Sequence, residues 1–185
     1  MSHEHLDNSA LQEVLLLSYK NFDDSRGSLS PLIASSRLVD LPGLSNFEVR
    51  QINSVKSNFG SIRGIHSSSP SWPQRKIVFC LEGEITDVVV DLCPLSKTYG
   101  SVQTYKLSGD SNYFLVIPAC VGHGFQTTSA RSLVNYLLDN EYNQSYEINI
   151  NPLSKSLKIE WSAPYLLSEK DSQAIFFEDY SANLI

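Results

Sequence analysis

Apolar and polar residues alternate at a period of two through many short runs of this chain: Leu11 to Tyr19, Phe47 to Asn53, Lys76 to Leu81, Ile85 to Leu92, Tyr113 to Ile117 and Leu133 to Leu138. That period is the mark of strands with two unlike faces. Turn chemistry separates the runs at Asp24-Ser25-Arg26-Gly27, Pro42-Gly43, Ser67 to Pro73, Glu82-Gly83, Pro94 to Gly100 and Gly109-Asp110-Ser111. Many short strands at near-regular spacing predict an all-β antiparallel sandwich or barrel. Helical signal is confined to two short pieces, Ser30 to Leu38 and Ser168 to Ala174, the second opening on a Ser cap and acidic residues.

The chain of 185 residues is long enough for one domain with a substantial core and too short for two ordinary ones, so residues 1–185 are read as a single domain with residues 1–9 as a loose tail. Hydrophobic residues at 42% and charged residues at 18% belong to a folded protein. A net charge of −6 with scattered Lys and Arg excludes a nucleic-acid partner. Met1 to Ser9 is polar and lacks the basic start and apolar segment of a signal peptide. No apolar run approaches the roughly 18 residues of a membrane helix, so the expectation is a soluble, cytoplasmic protein with no membrane partner. Cys80, Cys93 and Cys120 are far apart in sequence with no CxxC spacing, which disfavours a disulfide framework and a zinc site and reads as small residues packed in strands.

If Glu82 and Gly83 form a two-residue turn, Leu81 pairs with Glu84 and Val78 faces Asp87. Lys76, Val78 and Cys80 then share a sheet face with Ile85, Asp87 and Val89, and Lys76 lies diagonal to Asp87. A Gly bulge would slip this register by one. The opposite face, with Ile77, Phe79, Leu81, Val88, Val90 and Leu92, is an apolar core. The mixed face is either open to solvent or lines a polar cavity inside a barrel, and alternation alone does not choose.

Of four histidines, His3 and His5 fall in the polar tail, leaving His66 and His123 as chemical candidates. His66 has Ser68 rather than a second His two residues on, and two imidazoles are fewer than most His-based metal barrels use, so no metal is expected. No Gly-rich phosphate loop, GxSxG elbow or HExxH is present.

Several segments, in order, resemble the dTDP-4-dehydrorhamnose 3,5-epimerases and related sugar-nucleotide epimerases. They are Phe22 to Gly27, Gln51-Ile52-Asn53, Gly60 to His66 with its Arg63-Gly64-Ile65-His66 run, Lys76-Ile77-Val78, and Gly83 to Asp91 with Ser96 and Tyr99-Gly100. The series continues with Ile117-Pro118 through His123-Gly124-Phe125, Tyr136 with Tyr142 and Glu147, Ile159-Glu160-Trp161, and Leu167 to Asp171. The resemblance implies a double-stranded β-helix, a cupin-like jelly-roll barrel with a few short helices, that forms a homodimer and needs no metal or other cofactor. It places the mixed face inside the barrel. It implies that His66 takes protons from carbons 3 and 5 of a dTDP-linked 4-keto sugar, that Asp171 hydrogen-bonds His66, that Lys76 supports the oxyanion at carbon 4, and that Tyr136 returns a proton from the opposite side of the ring. Arg26, Gln51, Asn53, Arg63, Tyr142 and His123 match positions that contact substrate, and Asp87 matches one beside the lysine.

Those roles agree with elementary chemistry. Hydrogens beside a ketone are weakly acidic, and a base removes them only if the enolate charge is stabilised at the same moment. A neutral imidazole backed by a carboxylate is the usual base at neutral pH, and a tyrosine hydroxyl on the other side of the ring completes an inversion. Arg63 and His66 are three apart and would face opposite ways on a regular strand, unless Gly64 hosts a bulge. The chain departs from the family pattern at Leu29, Pro31, Ser68 and Cys93, which alters substrate contacts. The expected activity is therefore epimerisation at carbon 3, carbon 5 or both. The alternatives are a single-carbon epimerase or 4-keto sugar isomerase on the same fold, or a non-catalytic sugar-nucleotide binder.

Overall fold

The computed structural model describes Leu11 and residues 13–182; the expected tail, with His3 and His5, lies outside the described residues. In chain order the elements are β1 (Leu15–Ser18), β2 (Phe22–Asp24), β3 (Gly27–Leu29), α1 (Ser35–Leu38), β4 (Gln51–Asn58), β5 (Ile62–Ser68), β6 (Lys76–Glu82) and β7 (Glu84–Asp91). They continue with β8 (Val102–Ser108), β9 (Tyr113–Ile117), β10 (Val121–Thr127), β11 (Arg131–Leu138), β12 (Glu147–Asn149), α2 (Glu169–Ser172) and α3 (Phe177–Ala182).

Two five-stranded antiparallel sheets, ordered β1-β9-β6-β11-β4 and β12-β5-β10-β7-β8, face one another, and β2 and β3 form a separate hairpin. This is the cupin-like jelly roll. Its interior is filled by Val78, Cys80, Leu115, Ile117 and Val134 from the first sheet against Ile85, Val89, Tyr105, Leu107 and Phe125 from the second. The outer face of the first sheet is covered as well. Ile77, Phe79, Phe114 and Val116 pack against Leu38, Leu41, Leu44 and Phe47. On the second sheet Ile65, Val88, Val90 and Leu92 are covered by Ile150, Leu157 and Phe177. Strands buried on both faces explain why β6 and β7 carry near-continuous apolar runs.

Phe79 is almost fully buried and stacks on Phe114 with ring centroids 5.0 Å apart. Phe79→Ala is expected to destabilise the protein by about 3–5 kcal/mol, the cost of a large buried ring and the cavity it leaves. Denaturant unfolding measures it.

The β6–β7 hairpin expected from the sequence does not form. β6 pairs with β9 and β11, while β7 pairs with β8 and β10 in the other sheet. Glu82 and Gly83 carry the chain around a corner between sheets. Gly83 has φ of +72°, and a Cβ there would sit 1.9 Å from the Arg131 carbonyl oxygen, so only glycine fits. Lys76, Val78 and Cys80 still share surroundings with Ile85, Asp87 and Val89, because both strands turn these residues into the barrel. The opposite faces are two separate outer cores rather than one. The predicted helices shrink to α1 and α2, and Ser168 caps α2 by accepting the Asp171 N–H.

Candidate active site

A cleft of about 500 Å³ opens between the sheets at one end of the barrel. Its walls carry His66, Lys76, Tyr136, Asp171, Asn53, Arg63, His123 and Tyr142, eight of the eleven residues singled out from the sequence.

His66 reaches the cleft through a bulge. On β10, His123 lies opposite His66 and Phe125 opposite Arg63, so β5 uses one residue more than its partner between these pairs. The extra residue turns both Arg63 and His66 to the cleft while Ile65 points into the outer core. Gly64 makes this possible: its φ is +113°, and a Cβ would stand 2.5 Å from the His123 carbonyl oxygen and 2.6 Å from Gly124 Cα. These contacts are backbone and cannot yield. Gly64→Ala is expected to cost about 2–4 kcal/mol from left-handed backbone and overpacking together, read from denaturant midpoints.

Asp171 arrives from the far end of the chain. Leu166 bonds along the start of β5, with Ile62 N–H donating to the Leu166 carbonyl at 2.8 Å and Leu166 N–H to the Gly60 carbonyl at 2.8 Å. Ser168 then caps α2, and Asn151 Nδ2 donates to the Ser172 carbonyl at 2.9 Å, pinning the helix from its other side. Asp171 Oδ1 meets His66 Nε2 at 2.7 Å, with the carboxylate almost fully covered and the imidazole 31% exposed toward the cleft. Burial alone would push the Asp171 carboxyl up. The hydrogen bond and charge of His66, helped by Ser168 and the Gly64 N–H, outweigh it and hold the group below the ordinary carboxylate range. An ionised carboxylate behind an exposed imidazole is the arrangement of a general base.

Lys76 is 7% exposed, and its Nζ donates to the His66 carbonyl at 3.0 Å. Burial lowers its pKa to about 8, with Glu147 and Asp87 pulling the other way. Asp87 lies behind the cleft wall rather than in it. Its Oδ2 meets His123 Nε2 at 2.8 Å; burial pushes its carboxyl up, and His123 and Lys76 oppose the rise. On the facing sheet Tyr136 stands opposite Asn53. Its hydroxyl is pushed up by burial, with the Asn53 hydrogen bond and Arg63 charge acting against that and Glu147 adding to it, so it remains a phenol at neutral pH.

Two expected substrate residues are not in the cleft. Gln51 braces it: Nε2 donates to Asn53 Oδ1 at 2.8 Å and Oε1 accepts the Tyr142 N–H at 2.8 Å. Arg26 sits on the β2–β3 hairpin, its side chain 88% exposed and paired with Asp24, outside the cleft of its own chain. Of the departing positions, Ser68 lines the cleft and its Oγ donates to the Trp72 carbonyl, whereas Cys93 and Leu29 lie elsewhere.

The cleft also contains residues to which the sequence assigned no role. Glu147 accepts from Lys170 at 2.6 Å and from the Tyr142 hydroxyl at 3.1 Å, and Lys170 Nζ lies 5.7 Å from the Tyr142 ring centroid. Trp72 stacks on Tyr146 at 5.3 Å. Glu147 and Lys170 fall in segments that carried the family resemblance, which is the only signal that pointed to them. Among the described residues no group of three or more His, Cys, Asp or Glu side chains is placed to hold a metal, and no helix is long and apolar enough to cross a membrane.

The Lys76 value has two consequences of opposite sign. The cation is lost as pH rises through about 8, so a rate that depends on it falls there. The unfolded chain keeps that proton up to its ordinary 10.5, so between these values folding sheds a proton and stability from this group rises with pH. Activity and melting-temperature profiles, each compared with Lys76→Met, are expected to diverge in that window.

A jelly-roll barrel whose open end gathers a carboxylate-backed histidine, a buried lysine and a facing tyrosine has groups of the kind an isomerase working at carbon needs. The comparisons agree. The profile of the dTDP-4-dehydrorhamnose 3,5-epimerases matches residues 8–179. The dTDP-4-dehydrorhamnose 3,5-epimerase of Shigella flexneri is 33% identical over 170 residues, covering 91% of this chain and 93% of that protein. The crystal structure of the Legionella pneumophila dTDP-6-deoxy-D-glucose-3,5-epimerase, in complex with dTDP-4-keto-L-rhamnose, aligns with a TM-score of 0.89 at 30% identity, over 96% of this chain and 95% of that one. A 4-keto-6-deoxy sugar epimerase from the novobiocin gene cluster of Streptomyces spheroides aligns with a TM-score of 0.90 at 29% identity, over 100% and 93% of the chains. The chain belongs to the dTDP-4-dehydrorhamnose 3,5-epimerase family.

Proposed function

We propose that this enzyme inverts carbon 3, carbon 5 or both in a dTDP-linked 4-keto-6-deoxyhexose, with His66 as the base. The observation that carries this reading is the placement of base and acid on opposite walls. His66, backed by Asp171 at 2.7 Å, comes from the second sheet, and Tyr136 comes from the first. A sugar ring between them meets the base on one face and a phenol on the other, the geometry that inversion requires.

His66 removes the proton beside the ketone, and Asp171 holds the imidazole and stabilises its cation. The Lys76 ammonium, buried beside the His66 carbonyl, offsets the charge that develops on the ketone oxygen. Tyr136 protonates the enolate from the far side. Arg63, Asn53, His123 and Tyr142 hold the nucleotide and sugar, with Gln51 bracing and Asp87 setting the His123 imidazole.

The same reading makes the protein a cytoplasmic homodimer. The β2–β3 hairpin projects exposed Phe22 and Leu29, and edge strand β4 exposes Ile52, an apolar surface suited to a second copy. Arg26, outside its own cleft, then serves the cleft of that copy. Proton NMR of dTDP-4-keto-6-deoxyglucose incubated with enzyme in deuterium oxide tests the proposal. Loss of the carbon 3 or carbon 5 signal is expected, and the number lost separates single from double epimerisation. No exchange at either carbon on this and other nucleotide-linked 4-keto sugars contradicts it.

A further inference from the structure

Two of the three cysteines meet at a junction away from the cleft. β7 and β10 are hydrogen-bonded neighbours with Asp91 opposite Val121. Continuing that register sets Leu92 opposite Cys120 and Cys93 opposite Ala119, so the two cysteines are neighbours across the junction. Cys93 Sγ donates to the carbonyl oxygen of Ala119, the residue bonded to Cys120, at 3.9 Å.

The junction is braced. Asp91 Oδ1 accepts the Cys93 N–H at 2.9 Å, and Oδ2 accepts the hydroxyls of Ser96 and Thr98. Both thiols are unbridged and partly exposed, whereas Cys80 is buried in the barrel interior. Neither Cys93 nor Cys120 lines the cleft, so the epimerase chemistry makes no use of them.

We propose that Cys93 and Cys120 form an oxidative modification site, a thiol pair that closes to an intramolecular disulfide on reaction with a hydroperoxide. Burial and the adjacent sulfur push the Cys93 thiol up, so Cys93 keeps its proton while its partner reacts. The Cys120 thiolate attacks one peroxide oxygen, the O–O bond breaks, hydroxide leaves, and Cys120 becomes a sulfenic acid. Cys93 sulfur then attacks the Cys120 sulfur, giving up its proton as the S–O bond breaks. The S–S bond forms and water departs. In sum, two thiols and one hydrogen peroxide give one disulfide and two waters, with two electrons passing from sulfur to peroxide. Placement of both thiols at one strand junction, with Cys93 Sγ against the peptide that joins Ala119 to Cys120, keeps closure intramolecular and fast relative to further oxidation of the sulfenic acid.

Purified protein is treated with a small excess of hydrogen peroxide, quenched, denatured and assayed for free thiols and by peptide mass mapping. The free-thiol count is expected to fall from three, the cysteine content of the chain, to one, with a Cys93–Cys120 linked peptide that dithiothreitol releases. Cys80→Ser is expected to leave the linkage intact, and Cys93→Ser to replace it by an oxygen adduct on Cys120. The proposal is overturned by oxygen adducts without the linked peptide in the unmodified sequence, by linkage through Cys80, or by linkage between chains. The wild-type map decides even if a variant fails to fold.

Discussion

Lys76→Met is expected to lower turnover by about 10²–10³-fold, the usual cost of removing a group that stabilises an oxyanion, without lowering the melting temperature at neutral pH. The two halves of this result have one cause. Lys76 is almost fully buried, its pKa is lowered to about 8, and its ammonium donates to a backbone carbonyl. A cation held under those conditions is kept at a cost to folding, which a methionine of similar length relieves. Asp87 is not stranded by the change, because His123 still holds its Oδ2 at 2.8 Å. A variant that is as stable as wild type and nearly inactive identifies a catalytic cation. One that loses stability and activity in step identifies a structural one. Steady-state kinetics with thermal unfolding on the same samples distinguishes them.

His66→Ala is expected to cost more, about 10³–10⁴-fold in kcat, at the upper end of what a general base contributes. The His66 ring is 31% exposed toward the cleft, and its Nε2 is occupied by Asp171, which leaves the other ring nitrogen for the substrate. Removing the ring strands Asp171, whose carboxyl His66 helps to hold below the ordinary range. A modest loss of stability therefore accompanies the loss of rate. Asp171→Asn is the companion test: the carboxylate is almost fully covered and acts through the imidazole it holds, so kcat is expected to fall while KM stays nearly constant.

Alternation disclosed the strands but not their partners. β6 and β7 each presented an apolar face and a mixed face, and a glycine stood between them, so a hairpin satisfied the pattern as well as a corner between two sheets. The choice belongs to β9, β11, β8 and β10, which occupy the edges of these strands and whose proximity no local pattern records. β10 itself was hidden from periodicity. Gly122 and Gly124 interrupt it because Ile65 and the Arg63 carbonyl press against them, where a Cβ would approach to 2.6 and 2.7 Å. The bulge that brings these groups close is the one that aims His66.

The site was legible in a different way. His66 and Asp171 are separated by 105 positions, and nothing in spacing or charge joins them; the family resemblance did. Arg63 presented the opposite situation, since strand parity alone showed that it could share a wall with His66 only through a bulge at Gly64, and β5 has one there. Glu147 and Lys170 lay in segments that carried the resemblance, but their pairing became visible only once folding joined β12 to α2 in an ion pair beside Tyr142. Arg26 is the residue the resemblance named that the chain leaves exposed and paired with Asp24, outside the cleft lining.

The central claim, that His66 abstracts the proton beside the ketone, is tested most directly by the rate of solvent deuterium entry into dTDP-4-keto-6-deoxyglucose. Wild-type enzyme and His66→Ala are compared in deuterium oxide at equal folded concentration. Exchange at carbon 3 or carbon 5 by the wild-type enzyme and its loss in His66→Ala are predicted. Exchange by His66→Ala at the wild-type rate would contradict the assignment of the base.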